Sequence, residues 1–392
     1  MRVLVAEPLS AEGVDLLATE HEVDNRPNLT RDELLSQLPE YEALVVRSGV
    51  KVDAEAIVAG RRLKVIGRAG VGGDNIDGEA ATAAGIVVVN APTANTIAAA
   101  ELTVGLIYAL ARNVAAADAS LRRGEWRRAD FMGTELRGRT LGIVGLGKIG
   151  CLVADAAIKL GMHVQGFDPE ITVDAAWSLP AQVKRANSVG DVLKSADFVS
   201  LHVPLLPATR DLVNADNVGQ MKHSAVLLNF SRDGVVNEAA VIKALDAKKL
   251  SAYVCDFPSP AVNRHPRVIA LPHLGASTAE AEENCAVMVA DQLRDYLEHG
   301  NVQNAVNFPN LALPRESNYR VAIANANVPN MLGQISTVMA KAGLNIHTMM
   351  NKSKADMAYT VVDVDSTVPQ QTIDSIAAIE GVLVVRYLPL GV

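Results

Sequence analysis

Two doubly wound α/β domains followed by a small βαββαβ module form the fold class that the sequence predicts. Three observations carry it. Short β-branched runs alternate with helical stretches in two successive series. A glycine-rich turn follows the first strand of the second series. A proline-containing linker then sets off a shorter stretch with six elements of its own. A length of 392 residues suits two or three domains, and 49% hydrophobic residues suffice for large buried cores.

The first series supplies Val3–Val5, Leu44–Val46, Val65–Gly67 and Ile86–Val89, compact runs of the kind found in parallel strands buried on both faces. One long helix is predicted from about Thr96 to Arg122. Its apolar part is interrupted by Glu101, Arg112 and Asn113, so it reads as a buried amphipathic helix and not a membrane span. The second series supplies Leu141–Val144, His163–Phe167, Phe198–His202, Val226–Asn229, Ala252–Cys255 and Val268–Ala270. A helix follows over about Thr278 to His299, and a linker over Asn307–Pro314. The last part reads as strand Tyr319–Ala324, helix Met331–Ala342, strands Asn345–Lys352 and Ala358–Val364, helix Gln370–Ala378 and strand Val382–Tyr387.

Composition narrows the function. The net charge of −8 argues against non-specific nucleic-acid binding, while leaving room for a local cationic pocket. Cys151, Cys255 and Cys285 have no metal-ligand spacing, and so few suggest a reducing compartment. The N-terminus reads as a strand and not a secretory signal, so a cytoplasmic protein is expected.

Thr140–Val144 runs into Gly145-Leu146-Gly147-Lys148-Ile149-Gly150 and then a helix. Gly145 suits the tight turn, Gly147 the close approach of a pyrophosphate, and Gly150 the packing of helix on strand. The pyrophosphate would sit on free N–H groups at the helix start. Asp168, 18 residues past Gly150 at the end of the next strand, can accept from both ribose hydroxyls and would repel a 2′-phosphate. NAD is therefore the expected cofactor.

Hydride transfer from a hydroxy acid needs a base for the hydroxyl proton and a cation for the carboxylate. His273, in Leu271-Pro272-His273-Leu274-Gly275, and Arg232, in Asn229-Phe230-Ser231-Arg232-Asp233-Gly234, each follow a strand. In doubly wound folds ligands bind outside the carboxyl ends of strands.

On these motifs the first 308 or so residues resemble the D-isomer-specific 2-hydroxyacid dehydrogenases. The resemblance implies a flavodoxin-like substrate domain split into residues 1–95 and 281–308, around a Rossmann NAD domain over 96–280. Linker 309–317 and a C-terminal domain over 318–392 would follow. It also implies His273 as acid/base and Arg232 as the carboxylate clamp. Asp256, Ser231, Gly275 and the His202-Val203-Pro204 turn would lie beside the cofactor. A homodimer or homotetramer is implied, with the helix near Thr96 helping to form the dimer.

Several arginines bear on the substrate. Arg47 ends one strand run, Arg68 leads into Gly70-Val71-Gly72, and Arg128 lies in Trp126-Arg127-Arg128. Guanidinium groups suit phosphate because they bind it bidentately. The resemblance implies 3-phospho-D-glycerate as substrate, oxidised to 3-phosphohydroxypyruvate at the start of serine biosynthesis. Arg47, Arg68 and Arg128 would surround the phosphate, one such arginine being reached from a partner subunit. Gly70, Val71, Gly72 and Asn95 would hold the carboxylate end. A reductase of the glyoxylate or hydroxypyruvate type is the alternative within the family.

The sequence departs from the family at one point. Relatives carry a glutamate beside the catalytic histidine; ungapped alignment puts Ala261 there, and no Asp or Glu occurs from Phe257 to Ala279. Three accounts are open. Glu280, Glu283 or a partner's carboxylate serves instead; His273 works unassisted; or the protein is an impaired, NAD-sensing interaction protein.

Residues 318–392 resemble an ACT domain, which implies amino-acid binding. Asn325, Asn327 and Asn345 fall at effector positions, with L-serine the expected effector and a dimerisation domain without ligand the alternative.

Overall fold

The computed structural model describes residues 1–390. The chain forms two compact units, one made of Met1–Asn95 with the chain from Ala279 onward, the other of Thr96–Thr278. In the first unit β1 (Arg2–Val5), β2 (Glu22–Asn25), β3 (Ala43–Val46), β4 (Val65–Arg68) and β5 (Val87–Asn90) form a parallel sheet in the order β2-β1-β3-β4-β5. The apolar runs occupy its centre. The sequence does not signal β2: Glu-Val-Asp-Asn is a polar edge strand with no apolar run to mark it, held partly by Arg2, whose Nη2 lies 2.9 Å from Asp24 Oδ2. One sheet face buries Leu4, Leu44 and Ile66 against Leu34, Leu38 and Ile57. The other buries Val3, Val5, Val45, Val65 and Val87 against Val289, Leu293 and Leu297 of the helix Ala279–His299. That helix lies flush on β4. A Cβ at Gly67 would sit 2.5 Å from Val289 Cγ1 and 2.6 Å from Leu293 Cδ1, so a larger residue would push helix and sheet apart.

The second unit contains β6 (Thr140–Val144), β7 (His163–Phe167), β8 (Lys184–Arg185), β9 (Phe198–Leu201), β10 (Val226–Asn229), β11 (Ala252–Cys255) and β12 (Val268–Ala270). They are parallel in the order β12-β11-β10-β9-β6-β7-β8, so the order reverses between β6 and β9. Ligands bind at such a switch point. β8, two polar residues at the edge, gives no sequence signal. The expected helix from Thr96 to Arg122 is in fact two, Thr96–Ala111 and Val114–Arg122, bent by 63°. Asn113 makes the break with φ 53°, a left-handed conformation asparagine tolerates, and its Nδ2 donates to Met132 O at 3.2 Å. No single helix among the described residues is long and apolar enough to cross a membrane.

The C-terminal module consists of β13 (Tyr319–Ala326), β14 (Ile346–Lys354), β15 (Met357–Val364) and β16 (Val382–Pro389) in the antiparallel order β14-β15-β13-β16, with helices Met331–Lys341 and Gln370–Ala377. Strand alternation divides its side chains. Val321, Ile323, Val362 and Val364 face the module's own helices. Ala322, Ala324, Tyr359, Val361 and Leu388 join the core built on the helix Ala279–His299. The stretch expected as a linker is folded into this core. Phe308, Leu311 and Leu313 are buried, and Val302 and Leu311 exchange hydrogen bonds at 2.8 and 2.9 Å. Their apolar side chains outweigh the signal of Pro309 and Pro314.

Three arginines fasten the module to the end of that helix. A helix leaves its last four carbonyls without intrahelical partners. Arg386 donates to Tyr296 O at 3.0 Å and Leu297 O at 2.9 Å, Arg315 to Glu298 O at 3.3 Å, and Arg320 to His299 O at 3.0 Å. Arg320 also reaches Leu313 O and Pro314 O, and forms a fully buried bidentate pair with Asp363 at 2.6 and 2.8 Å. Burial works against the Asp363 charge, but Arg320 and the Glu316 N–H outweigh it and hold the carboxyl below its ordinary value. A carboxyl so depressed stabilises the fold above its unfolded pKa, and that contribution is lost as pH falls through the folded value. Asp363→Asn, which strands the Arg320 charge, is expected to cost about 3 kcal/mol or more in urea unfolding at pH 7. The gap between variant and wild type should close as pH drops below about 4.

Candidate active site

In the second unit the strand ends at the switch point carry the candidate residues. β6 runs into Gly145, whose φ of 92° suits glycine and which abuts the His202–Val203 turn after β9. Gly150 packs against Gly145 O. Gly147 begins the helix Lys148–Lys159 with no side-chain cap, and a Cβ there would meet nothing within 4 Å. Open space over uncapped N–H groups fits a pyrophosphate. Lys148 and Ile149 form the first turn of this helix. Asp168, just past β7, accepts from Leu146 N at 2.8 Å and Glu170 N at 2.9 Å. It thus tethers the glycine loop. The residues fit NAD.

The His202 turn is pinned by Ser231. Its hydroxyl donates to Leu201 O at 2.7 Å and accepts from Val203 N at 3.1 Å. His202 Nε2 lies 2.9 Å from Ser200 Oγ, and burial lowers its pKa to about 4, so the ring is neutral near pH 7. Pro204 completes the turn and is exposed. Arg232 follows β10 and curls back to Ser231 O at 2.7 Å.

Asp256, just past β11, is buried, and both its oxygens are engaged. Oδ1 accepts from Leu274 N and Oδ2 from Gly275 N, each at 2.7 Å, while its carbonyl accepts from His273 N at 3.0 Å. These bonds hold His273 in a left-handed conformation, φ 57°. The His273 side chain is exposed in this unit, and its ring centroid lies 4.5 Å from that of Phe257. Ala261 stands exposed on the short helix Pro260–Asn263. Arg128 is exposed in the turn Arg128–Phe131 and makes no ion pair among the described residues; its neighbour Arg127 pairs with Asp130.

In the first unit the candidate cations stand at the carboxyl ends of adjacent strands. Arg68 ends β4 opposite Val46, and Arg47 follows Val46. The Arg68 guanidinium lies over Gly70, where φ is 149°. Arg47 Nη2 meets Glu282 Oε1 at 2.6 Å. Burial pushes the Cys285 thiol up, while Arg68 and Arg47 both pull it down, so the two cations share one neighbourhood. The chain after Arg47 is organised by Glu7, which accepts from the backbone N–H of Arg47, Gly49 and Val50 at 2.6–3.0 Å. Val71 O accepts from Asn90 Nδ2, Gly72 is half-buried, and Asn95 sits in the turn before the helix Thr96–Ala111. Glu280 and Glu283 are exposed near the start of the helix Ala279–His299. Sequence reasoning misses Glu7, Glu282 and Phe257. The carboxylates' partners lie 40 and 235 residues away, and no motif announces them.

In the C-terminal module Asn325 is not available as an effector contact. It is buried in β13, its Nδ2 donating to Ala326 O and its Oδ1 accepting from Thr360. Asn327 follows β13 and Asn345 precedes β14, and both are exposed.

Residues 104–275 match the family model for the NAD binding domain of D-isomer specific 2-hydroxyacid dehydrogenase. The chain is 43% identical over 317 residues to a D-3-phosphoglycerate dehydrogenase of Methanocaldococcus jannaschii, a match covering 79% of this chain and 60% of the relative. It is 41% identical to D-3-phosphoglycerate dehydrogenase 2, chloroplastic, of Arabidopsis thaliana, covering 89% of this chain and 56% of that protein. The chain thus spans about three fifths of the length of the curated relatives it matches. Among solved structures, the TT0316 protein of Thermus thermophilus superposes with TM-score 0.69 at 34% identity, covering 78% of this chain and 100% of that one. The NAD+-bound 3-phosphoglycerate dehydrogenase of Entamoeba histolytica gives 0.65 at 27%, covering 78% and 98%. With the glycine loop, Asp168, Arg232 and His273 arranged as above, residues 104–275 belong to the NAD binding domain family of D-isomer specific 2-hydroxyacid dehydrogenase.

Proposed function

We propose that the chain oxidises 3-phospho-D-glycerate to 3-phosphohydroxypyruvate with NAD, opening L-serine synthesis. The observation that carries the substrate is the pair Arg47 and Arg68 on adjacent strand ends of the first unit. The names of the curated relatives support it. Gly145, Gly147, Gly150 and Asp168 hold the cofactor, which when bound accepts the hydride leaving C2. His273 takes the hydroxyl proton from the same carbon, so that a hydride and a proton together leave the alcohol. Arg232 turns its guanidinium to the substrate carboxylate and steadies the oxygen as the ketone forms. Arg47, Arg68 and Arg128 bind the phosphate. Gly70, Val71, Gly72 and Asn95 seat the carboxylate end. Ile97, Tyr108, Val114 and Leu121, exposed along the two helices after Asn95, support assembly as a homo-oligomer.

Arg68→Ala should lower kcat/KM for 3-phosphoglycerate by about 10- to 100-fold, the worth of a charged hydrogen bond, and leave D-glycerate turnover nearly unchanged. Equal losses on both substrates would point to a glyoxylate or hydroxypyruvate reductase. Asp168→Ala should weaken NAD binding, because it frees both the ribose and Leu146 N, and should narrow the preference over NADP; dissociation constants for both nucleotides measure this. L-serine is proposed to bind the C-terminal module through Asn327 and Asn345. Calorimetry with L-serine should then show heat that Asn345→Ala removes.

A further inference from the structure

We propose that Phe257 is a positioning residue for His273, holding the imidazole by ring contact in a stretch that carries no carboxylate. The inference rests on the reading that His273 moves the substrate proton. The backbone of His273 is fixed first. Its N–H goes to Asp256 O, and the next two N–H groups go to the Asp256 carboxylate. With φ at 57° the direction of the Cα–Cβ bond is set, and only the side-chain torsions are left to define.

Hydrogen bonding does not define them within this unit. The ion-paired histidines among the described residues are His21, His265 and His299, and His273 is not one of them. The contact it does make is with Phe257, at 4.5 Å between centroids and 49° between planes, a separation at which the rings pack directly on each other. Phe257 is itself well placed to serve as a platform. It is half-buried, it follows the fixed Asp256, and it precedes Pro258. Beyond that, Ser259 N donates to the Glu238 carboxylate and Ser259 Oγ caps the helix Pro260–Asn263. The backbone of Phe257 is thus anchored on both sides. A ring contact restricts the imidazole plane without neutralising a charge, so it orients the base and leaves both nitrogens free for substrate and solvent.

The test uses the full chain with Phe257→Leu and Phe257→Tyr. Phe257→Leu should lower kcat about tenfold or more through misorientation, with KM and the NAD dissociation constant within about twofold of wild type. Phe257→Tyr should restore kcat. In parallel, carbon–proton spectra of labelled histidine, with the His273 signal assigned by its loss in His273→Gln, should show the ring protons moving in Phe257→Leu and staying in Phe257→Tyr. A Leu variant with wild-type kcat overturns the proposal. So does a Tyr variant as impaired as Leu, or unmoved His273 signals. Should the wild type fail to oxidise any 2-hydroxy acid, the function above falls, and the His273 signals alone then decide for or against the ring contact.

Discussion

The carbonyl end of one helix is the constraint on which the first unit depends. The helix Ala279–His299 supplies much of the cover for one face of the parallel sheet, yet the carbonyls of its last turn need donors from outside the helix. Left alone, that end would carry both unsatisfied acceptors and the negative pole of the helix. Arg315, Arg320 and Arg386 answer both problems at once, because a guanidinium brings several donors and a fixed positive charge. The two buried cations, Arg320 and Arg386, need compensation in turn. Asp363 supplies it for Arg320, and the Tyr296 ring lies under Arg386 at 4.4 Å.

The opposite end of the same helix bears on the substrate side of the first unit. Glu282, in its first turns, takes Arg47, while Val289 and Leu293 lie on Gly67, next to Arg68. Both candidate phosphate cations are thus set by where this helix rests. Its position is decided in turn by the C-terminal module, which shares its core and grips its last turn. The module and Arg47 thus meet the same helix at its two ends.

Local physics was legible and remote physics was not. The parallel strands stood out because each is an unbroken apolar run. The glycine loop and Asp168 stood out because spacing along one βαβ unit dictates their meeting. Edge strands β2 and β8 have polar sequences and are held by their neighbours, so no pattern reveals them. Asn113 could be read as an interruption of apolarity, but its left-handed turn is a backbone property. Asn325 matched an effector position in a motif, while strand alternation turned its amide into the sheet. Phe257 looked like an ordinary apolar residue beside a missing glutamate, and only the fold laid its ring against His273.

The split layout of the first unit has a consequence for synthesis. Its sheet emerges from the ribosome with residues 1–95, but Leu17 of the helix Ala11–Ala18 covers only part of the face holding Val3, Val45, Val65 and Val87 until Cys285 and the residues after it arrive. The interposed Thr96–Thr278 unit is continuous in sequence and can complete its own core in the meantime. One half of the molecule therefore waits, with an apolar sheet face exposed, for a segment made much later. Contacts this distant in sequence slow folding and lengthen the exposure to aggregation. Arg315, Arg320 and Arg386, made later still, then lock that cover over the oldest part of the chain.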